Sequence, residues 1–96
     1  MKMSINLKLF GDLRRKADPK ISGTLPLRLE INNAEIKWVA DILKEFMIED
    51  NEVSHIFVNG IYAGLKKSVK PGDTVSLFPR NMGLLYKWYF KREEDE

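Results

Sequence analysis

The sequence has no cysteine and a single histidine among its 96 residues. The absence of cysteine excludes disulfide bonds, thiolate nucleophiles and cysteine metal sites. His55 has no second histidine with which to share a metal, and Ser54 beside it is predicted to point to the opposite face of a strand, so the two do not suggest a catalytic pair. The acidic residues are scattered without metal-ligand spacing. We therefore expect a protein that is not itself an enzyme and that has no catalytic residue, metal site or cofactor.

Long hydrophobic runs and a strong charge of one sign are also missing. No stretch approaches the roughly 18 apolar residues of a membrane helix, and no signal-like apolar segment follows Met1, so we expect a cytoplasmic protein. The 16 Lys and Arg and 14 Asp and Glu leave a net charge of +2, which is small for a phosphate-binding surface. Two groups of basic residues keep RNA binding as a minor alternative: Arg14, Arg15, Lys16 and Lys20, together with Lys66, Lys67 and Lys70. We expect neither a membrane nor a nucleic-acid partner.

Two segments near the amino terminus alternate with the period of a half-buried strand. In the first, Ile5, Leu7 and Leu9 share one face. In the second, from Leu25 to Ile31, every other residue is apolar. Pro26 indicates that this second strand lies at the edge of a sheet, because proline donates no backbone hydrogen bond. We predict two strands here.

A helix is predicted from about Asn33 to Met47. Asn32, followed three residues later by Glu35, has the spacing of a capping box. The apolar side chains recur at helical spacing and form one stripe: Ile36, Val39, Ala40, Leu43, Phe46 and Met47. A single apolar stripe predicts that the helix packs on one face of a sheet. Trp38 falls far from the stripe and is predicted to be exposed.

The remaining strands are short and are separated by turns with recognisable chemistry. The strand His55–Val58 ends at the turn pair Asn59-Gly60, after which Ile61–Ala63 is predicted to pair back. The segment Lys70-Pro71-Gly72-Asp73 has proline and glycine where a type II turn requires them, and a last strand continues through Leu77. This order predicts an α+β protein of the β-grasp arrangement, with a mixed sheet of about four or five strands and one main helix packed on one face.

These segments resemble the MoaD/ThiS family of ubiquitin-like sulfur carriers, and most of all the small subunit of molybdopterin synthase. The most specific part is "VNG" at 58–60 followed by "PGDTVSLFP" at 71–79, within a resemblance that covers about residues 3–83. The resemblance implies a ubiquitin-like fold whose first and last strands are parallel at the centre of the sheet. It also implies a role in molybdopterin or thiamine biosynthesis. In that role an activating enzyme uses ATP to adenylate a terminal Gly-Gly carboxylate, which becomes a thiocarboxylate that donates sulfur.

The terminal Gly-Gly is where the sequence departs from the family. Gly83 occupies the position of the first glycine, but Leu84 follows it where the second glycine belongs, and Met82 precedes it. The peptide bond after Gly83 leaves no carboxylate to activate, so we expect carrier function only if processing produces a free Gly83. We predict a ubiquitin-like β-grasp domain over 1–83 and an aromatic, then acidic, C-terminal extension over 84–96.

The candidate partner-binding residues lie on the predicted outer face of the sheet and beyond it: Phe10, Phe78, Pro79, Met82, Tyr86, Trp88 and Phe90. The rings of Phe10 and Phe78 are predicted to point away from the core, either as an exposed patch for a partner or packed under the chain's own extension. The resemblance implies two partners, an ATP-dependent activating enzyme and a protein like the large subunit of molybdopterin synthase. The alternative function is a non-carrier interaction module that uses the sheet face and the extension to bind a partner or a second copy of itself.

Overall fold

The computed structural model describes residues 4–80. Their main elements are β1 (Ile5–Leu9), β2 (Leu27–Ile31), α1 (Val39–Glu45), β3 (Val53–Val58), β4 (Ile61–Ala63) and β5 (Thr74–Pro79). Short 3-10 helices at Gly11–Lys16 and Asp50–Glu52 lie in the connections. The strands form one mixed sheet in the order β2-β1-β5-β3-β4. This is the ubiquitin-like β-grasp fold, and it confirms the predicted fold class.

The first and last strands, β1 and β5, run parallel at the centre of the sheet. Their register sets Leu7 opposite Val75 and Leu9 opposite Leu77, and all four side chains are fully buried. Helix α1 covers this face and completes a single core, to which Ile42 contributes a fully buried side chain. Because side chains alternate along a strand, burial of this set places the residues between them on the outer face of the sheet.

The helix is shorter than the predicted 33–47, because other interactions occupy the residues before Val39. The Asn33 carboxamide accepts the Glu35 N–H at 2.9 Å and closes a local turn. The N–H of Val69 donates to the Lys37 carbonyl at 2.9 Å, and Trp38 forms a bridge with Ser68. The predicted start of the helix is therefore wrong.

The capping of α1 comes from an aspartate that the pattern did not single out. The Asp41 carboxylate accepts the N–H groups of Lys37 at 2.9 Å and Trp38 at 3.1 Å. The hydrogen bond from Lys37 is the main reason that the pKa of Asp41 lies below its ordinary value. An anion in the first helical turn also interacts favourably with the helix dipole. The capping thus lies six residues after the predicted box, with Trp38 at the N-cap position in place of Asn32. It consists of the Asp41 contacts alone, because the indole of Trp38 cannot accept a hydrogen bond.

The apolar stripe of the helix also differs from the predicted one. Ile42, which was left out of the stripe, is fully buried beside Val39 and Leu43, whereas Ala40 is exposed. Met47 is 74% exposed and adopts a positive φ of 56° that ends the helix. Val39, Ile42 and Leu43 have the i, i+3, i+4 spacing of one helix face, so Ile42 belonged to the stripe.

Strand β2 is an edge strand, as Pro26 indicated, but it begins at Leu27 rather than at Leu25. Leu25 is 80% exposed. Its carbonyl accepts a hydrogen bond from the Arg14 guanidinium at 2.9 Å and makes no contact in the strand ladder. The prediction that Leu25 belongs to the buried face of this strand is therefore wrong.

Both predicted turns are confirmed by their backbone angles. Asn59 and Gly60 have φ values of 55° and 81°, and positive values at both positions favour the tight hairpin turn that joins β3 and β4. Gly72 has a φ of 98°, and the Asp73 N–H donates to the Lys70 carbonyl at 3.0 Å, which closes a type II turn. The two turns are adjacent in space.

Asp73 connects these turns and is buried, with 7% of its surface exposed. Its carboxylate accepts the Asn59 side-chain amide and the Lys70 N–H, each at 3.0 Å. Asn59 in turn accepts the Thr74 N–H at 2.9 Å. Burial acts to raise the pKa of Asp73, but the hydrogen bonds from Asn59 and Lys70 and the nearby lysine charges outweigh it and lower the pKa below its ordinary value of 3.8.

We expect Asp73→Asn to lower the free energy of unfolding by about 1–3 kcal/mol at pH 7. Both carboxylate oxygens of Asp73 accept hydrogen bonds, and the substitution replaces one of them with an NH2 group that would face a donor. Folding lowers the pKa of Asp73, so its stabilising contribution is present above the pKa of the unfolded chain and is lost as the pH falls through the folded value. Urea unfolding at pH 7 and below pH 3.8 measures both effects. The exposed Glu35→Gln is the matched control. A full-sized decrease with Glu35→Gln, or none with Asp73→Asn, would contradict the assignment.

Candidate functional site

The outer face of the sheet carries a row of aromatic rings. Phe10 and Phe78 stack at a centroid distance of 4.2 Å, with their planes 10° apart. The stack arises because the parallel strands place the two residues side by side, one position beyond the Leu9–Leu77 pair. The Phe10 N–H donates to the Leu77 carbonyl at 3.2 Å and continues the pairing to this point.

The row continues across the sheet to β4. The Phe57 ring lies edge-on to Phe78 at 5.6 Å and to Tyr62 at 5.7 Å, and His55 lies edge-on to Tyr62 at 6.0 Å. Such edge contacts follow the charge distribution of the rings and each stabilise the arrangement by about 0.5–1.5 kcal/mol. Tyr62 is 65% exposed, while the three phenylalanines are half-buried. We call these five residues the aromatic face: Phe10, His55, Phe57, Tyr62 and Phe78.

The sequence predicted part of the aromatic face. Phe10 and Phe78 lie on the outer face as predicted, whereas Pro79 is buried at the end of β5. The other candidate residues lie outside the described residues: Met82, Gly83, Tyr86, Trp88 and Phe90. Phe57 and Tyr62 were missed. Alternation with the buried neighbours Ile56 and Val58 was a signal for Phe57, but the register that brings its ring to Phe78 is not visible in the sequence.

Ser54 and His55 were predicted to point to opposite faces, yet the Ser54 hydroxyl oxygen lies 2.9 Å from His55 Nδ1. A register shift in β3 between Val53 and His55 places them in contact. The Ser54 hydroxyl also reaches the carbonyls of Pro79 at 2.9 Å and Phe78 at 3.3 Å. These contacts hold the start of β3 against the end of β5, which is a structural role.

The chain leaves the sheet after Pro79, at a point held by the 3-10 helix that precedes β3. The Arg80 N–H donates to the Glu52 carbonyl at 3.2 Å. The Glu52 carboxylate accepts the Glu49 N–H at 2.8 Å and pairs with Lys16 at 3.1 Å. The hydrogen bond from Glu49, followed by the contact with Lys16, lowers the pKa of Glu52 below its ordinary value. The direction in which the chain leaves the sheet is therefore fixed beside the aromatic face.

The opposite side of the outer face is charged. Lys8 of β1 lies directly across from Arg28 of β2, and like charges at such positions repel one another. Asn6 and Glu30 form the next pair along, and Glu30 accepts the Ser4 hydroxyl at 2.8 Å. The outer face thus has two parts, an aromatic face over β1, β5, β3 and β4 and a basic pair, Lys8 and Arg28, over β1 and β2.

The basic cluster that kept RNA binding as an alternative is partly used inside the fold. Arg14 is buried, and its guanidinium donates to the carbonyls of Gly11 at 2.7 Å and Leu25 at 2.9 Å. Lys16 pairs with Glu52. Lys70 pairs with Asp73 at 3.8 Å, while Arg15, Lys20, Lys66 and Lys67 are exposed. RNA binding stays a minor alternative.

Residues 4–80 contain no group of three or more His, Asp or Glu side chains that could hold a metal ion. Within the same residues, no helix is long and apolar enough to cross a membrane.

The strand order, the parallel central pair and the single packed helix define a ubiquitin-like β-grasp protein, and solved structures agree. Small archaeal modifier protein 1 from Haloferax volcanii matches at a TM-score of 0.53 and 22% identity, over 80% of this chain and 97% of that one. A second crystal structure of that protein gives 0.52 and 24%, over 83% and 98%. A Pyrococcus furiosus protein assigned as molybdopterin converting factor subunit 1 matches at 0.53 and 26%, over 80% and 97%.

No protein-family model and no curated protein matches the chain. The structural neighbours nevertheless agree with the resemblance in residues 58–60 and 71–79. In fold, the chain is similar to small archaeal modifier protein 1 and to the protein assigned as molybdopterin converting factor subunit 1.

We expect Arg14→Lys to lower the free energy of unfolding by about 1–3 kcal/mol, although the charge is kept. A lysine ammonium cannot reproduce the forked geometry that joins two carbonyls, and one of the two bonds is lost. Urea unfolding provides the measurement, with the exposed Arg15→Lys as the matched control. Equal stability of the two variants would show that the buried guanidinium does not secure the connection between β1 and β2.

Proposed function

We propose that this chain is a ubiquitin-like protein of the sulfur-carrier type that docks partner enzymes through its aromatic face. The partners proposed are an ATP-dependent activating enzyme and a protein like the large subunit of molybdopterin synthase, in molybdopterin or thiamine biosynthesis. The docking residues proposed within the described part of the chain are Phe10, Phe78 and, beyond the sequence prediction, Phe57 and Tyr62. Carrier activity belongs to a form that ends at Gly83.

One observation carries this proposal: the stacked rings of Phe10 and Phe78 lie directly beside the point where the chain leaves the sheet. Arg80 is anchored by its hydrogen bond to Glu52, two residues after Phe78. Gly83 is three residues further and so lies at most about 10 Å from Arg80. An enzyme that binds the aromatic face would therefore hold Gly83 within a short and defined distance.

The chemistry requires one cleavage before any activation. Hydrolysis of the peptide bond between Gly83 and Leu84 consumes water and leaves a carboxylate on Gly83 and an amine on Leu84. In the family, the activating enzyme then transfers AMP from ATP to such a carboxylate with release of pyrophosphate, and sulfur at the oxidation level of sulfide displaces the AMP to form the thiocarboxylate. Gly83 has no side chain, which suits passage of the terminus through a narrow channel. Domain boundaries at 1–83 and 84–96 are part of the same proposal.

Intact mass spectrometry of the protein isolated from its own cells tests the carrier role. We expect a species that ends at Gly83, together with a heavier one in which a carboxylate oxygen is replaced by sulfur. A Gly83→Val chain produced in the same cells serves as the control, because a β-branched side chain at the cleavage position should prevent processing. If every species retains Leu84 and the residues after it, the carrier role fails for this protein.

A non-carrier interaction module is the second candidate function. The observation in its favour is that the aromatic face is complete within residues 4–80 and does not need a reactive terminus. In this case the sheet face binds a partner, or a second copy of the chain, without any covalent step. The carrier and the module share the docking surface and differ only at Gly83.

We expect Tyr62→Ser to weaken binding to the activating enzyme of the same organism by at least about tenfold, because tyrosine side chains in interfaces commonly account for much of the affinity. Isothermal titration calorimetry with the full chain measures the effect. Ile61→Ser is the matched control, because Ile61 is 72% exposed on the same short strand and points to the opposite face. If both variants bind like the unchanged chain, the aromatic face is not the docking surface.

A further inference from the structure

We propose that the outer face of the sheet also binds the chain's own C-terminal segment, residues 84–96. The aromatic residues of this segment contact the aromatic face, and its acidic end contacts Lys8 and Arg28. The inference uses the surface named in the proposed function, but it does not depend on cleavage, on a partner enzyme or on sulfur chemistry.

The outer face carries two opposed positive charges, those of Lys8 and Arg28. Lys8 and Arg28 are directly opposed on neighbouring strands, and within residues 4–80 neither forms an ion pair within 4.0 Å. Glu30 shares this face, but it is two residues along β2 from Arg28 and accepts the Ser4 hydroxyl. The repulsion between Lys8 and Arg28 is therefore best relieved by a ligand that brings several carboxylates.

The C-terminal segment is complementary to both parts of the outer face, because it has aromatic residues followed by acidic ones. Tyr86, Trp88 and Phe90 alternate along it, so an extended chain would present the three rings on one side. They are followed by four consecutive carboxylates, Glu93-Glu94-Asp95-Glu96. Ring-on-ring contacts at the aromatic face and carboxylate contacts at the basic pair would then form together.

The C-terminal segment is long enough to extend from the end of β5 to Lys8 and Arg28. The chain that leads to the segment leaves the sheet at Arg80, which is anchored next to Phe78. The basic pair lies on β1 and β2, within two strands of β5 and so within about 10 Å across the sheet. The 13 residues from Arg80 to Glu93 can span up to about 43 Å when extended, so the acidic end reaches Lys8 and Arg28 without strain. Because the segment is tethered, its effective concentration is in the millimolar range, and weak contacts are sufficient.

The consequence is competition between the segment and a partner for one surface. While the segment is bound, the rings of Phe10, Phe57 and Phe78 are covered. Cleavage after Gly83 would then both free the carboxylate and remove the competing segment, so that one event increases the affinity for a partner and makes the chain able to react. This is an autoinhibitory contact within the chain.

The test uses Trp88 as the reporter in the full chain. Trp38 and Trp88 are the 2 tryptophans of the sequence, so Trp38→Phe leaves Trp88 as the only source of tryptophan fluorescence. We expect acrylamide quenching in this background to be about threefold weaker than in a chain that also carries Lys8→Glu and Arg28→Glu, because an indole packed on aromatic rings loses most of its contact with solvent. The difference should shrink at high salt, which screens the charge contacts.

Two further variants make the test specific. Lys66→Glu with Lys67→Glu makes the same change of charge at exposed positions outside the outer face and should leave quenching unchanged. Adding Glu93→Lys and Glu94→Lys to the Lys8→Glu and Arg28→Glu chain should restore protection of Trp88, because the charges are again opposite.

Three results would overturn the inference. Quenching that is equally strong with and without Lys8→Glu and Arg28→Glu would mean that the segment does not contact the basic pair. Failure of the compensating charges to restore protection would mean that the effect is not a direct contact. Protection that disappears on dilution would assign the segment to the face of a second copy. Each measurement uses the full chain and does not require processing at Gly83. A negative result would therefore contradict this inference without contradicting the carrier role.

Discussion

The parallel pairing of β1 with β5 is the constraint on which the rest of the structure depends. The two strands come from opposite ends of the domain, and their register brings Leu9 and Leu77 together beneath the helix. The same register sets Phe10 beside Phe78 on the other face. A shift of one residue would exchange the buried and exposed sets, so the core and the aromatic face are products of a single choice of register.

Contacts at both ends of β5 hold this register. At its start, the Gly72 N–H donates to the Ser4 carbonyl at 2.8 Å, and the Asp73 carboxylate joins the two turns. At its end, Ser54 reaches the backbone of the last two residues, and Arg80 is bound to Glu52. The position of Arg80 is thus set by hydrogen bonds within the fold, which matters for any function that uses the residues after it.

The sequence predicted those features that local chemistry decides, and it failed where distant residues compete. The turn at Asn59-Gly60 and the strand alternation of β1 depend on neighbours along the chain, and they were confirmed. The helix start failed because residues 67–69 pair with Lys37 and Trp38, an interaction between segments far apart in sequence. Arg14 was interpreted as surface charge because nothing local shows that two backbone carbonyls need its donors. Phe57 and Tyr62 were missed for a similar reason, since strand register is a non-local property.

The outer face has a composition that stability of the isolated domain does not require. Polar residues at the positions of Phe10, Phe57 and Phe78 would keep the strand alternation, and an acidic residue in place of Lys8 would remove the repulsion from Arg28. The ring contacts stabilise the sheet, whereas the opposed charges of Lys8 and Arg28 do not, so the combination is suited to a surface that binds a ligand. A surface that must stay available to a partner enzyme also needs protection from nonspecific contacts, because exposed aromatic patches promote association. In the autoinhibitory arrangement proposed above, a tethered segment with rings and carboxylates in the matching order would meet both demands, since it would cover the face reversibly and give way to a partner that binds more tightly.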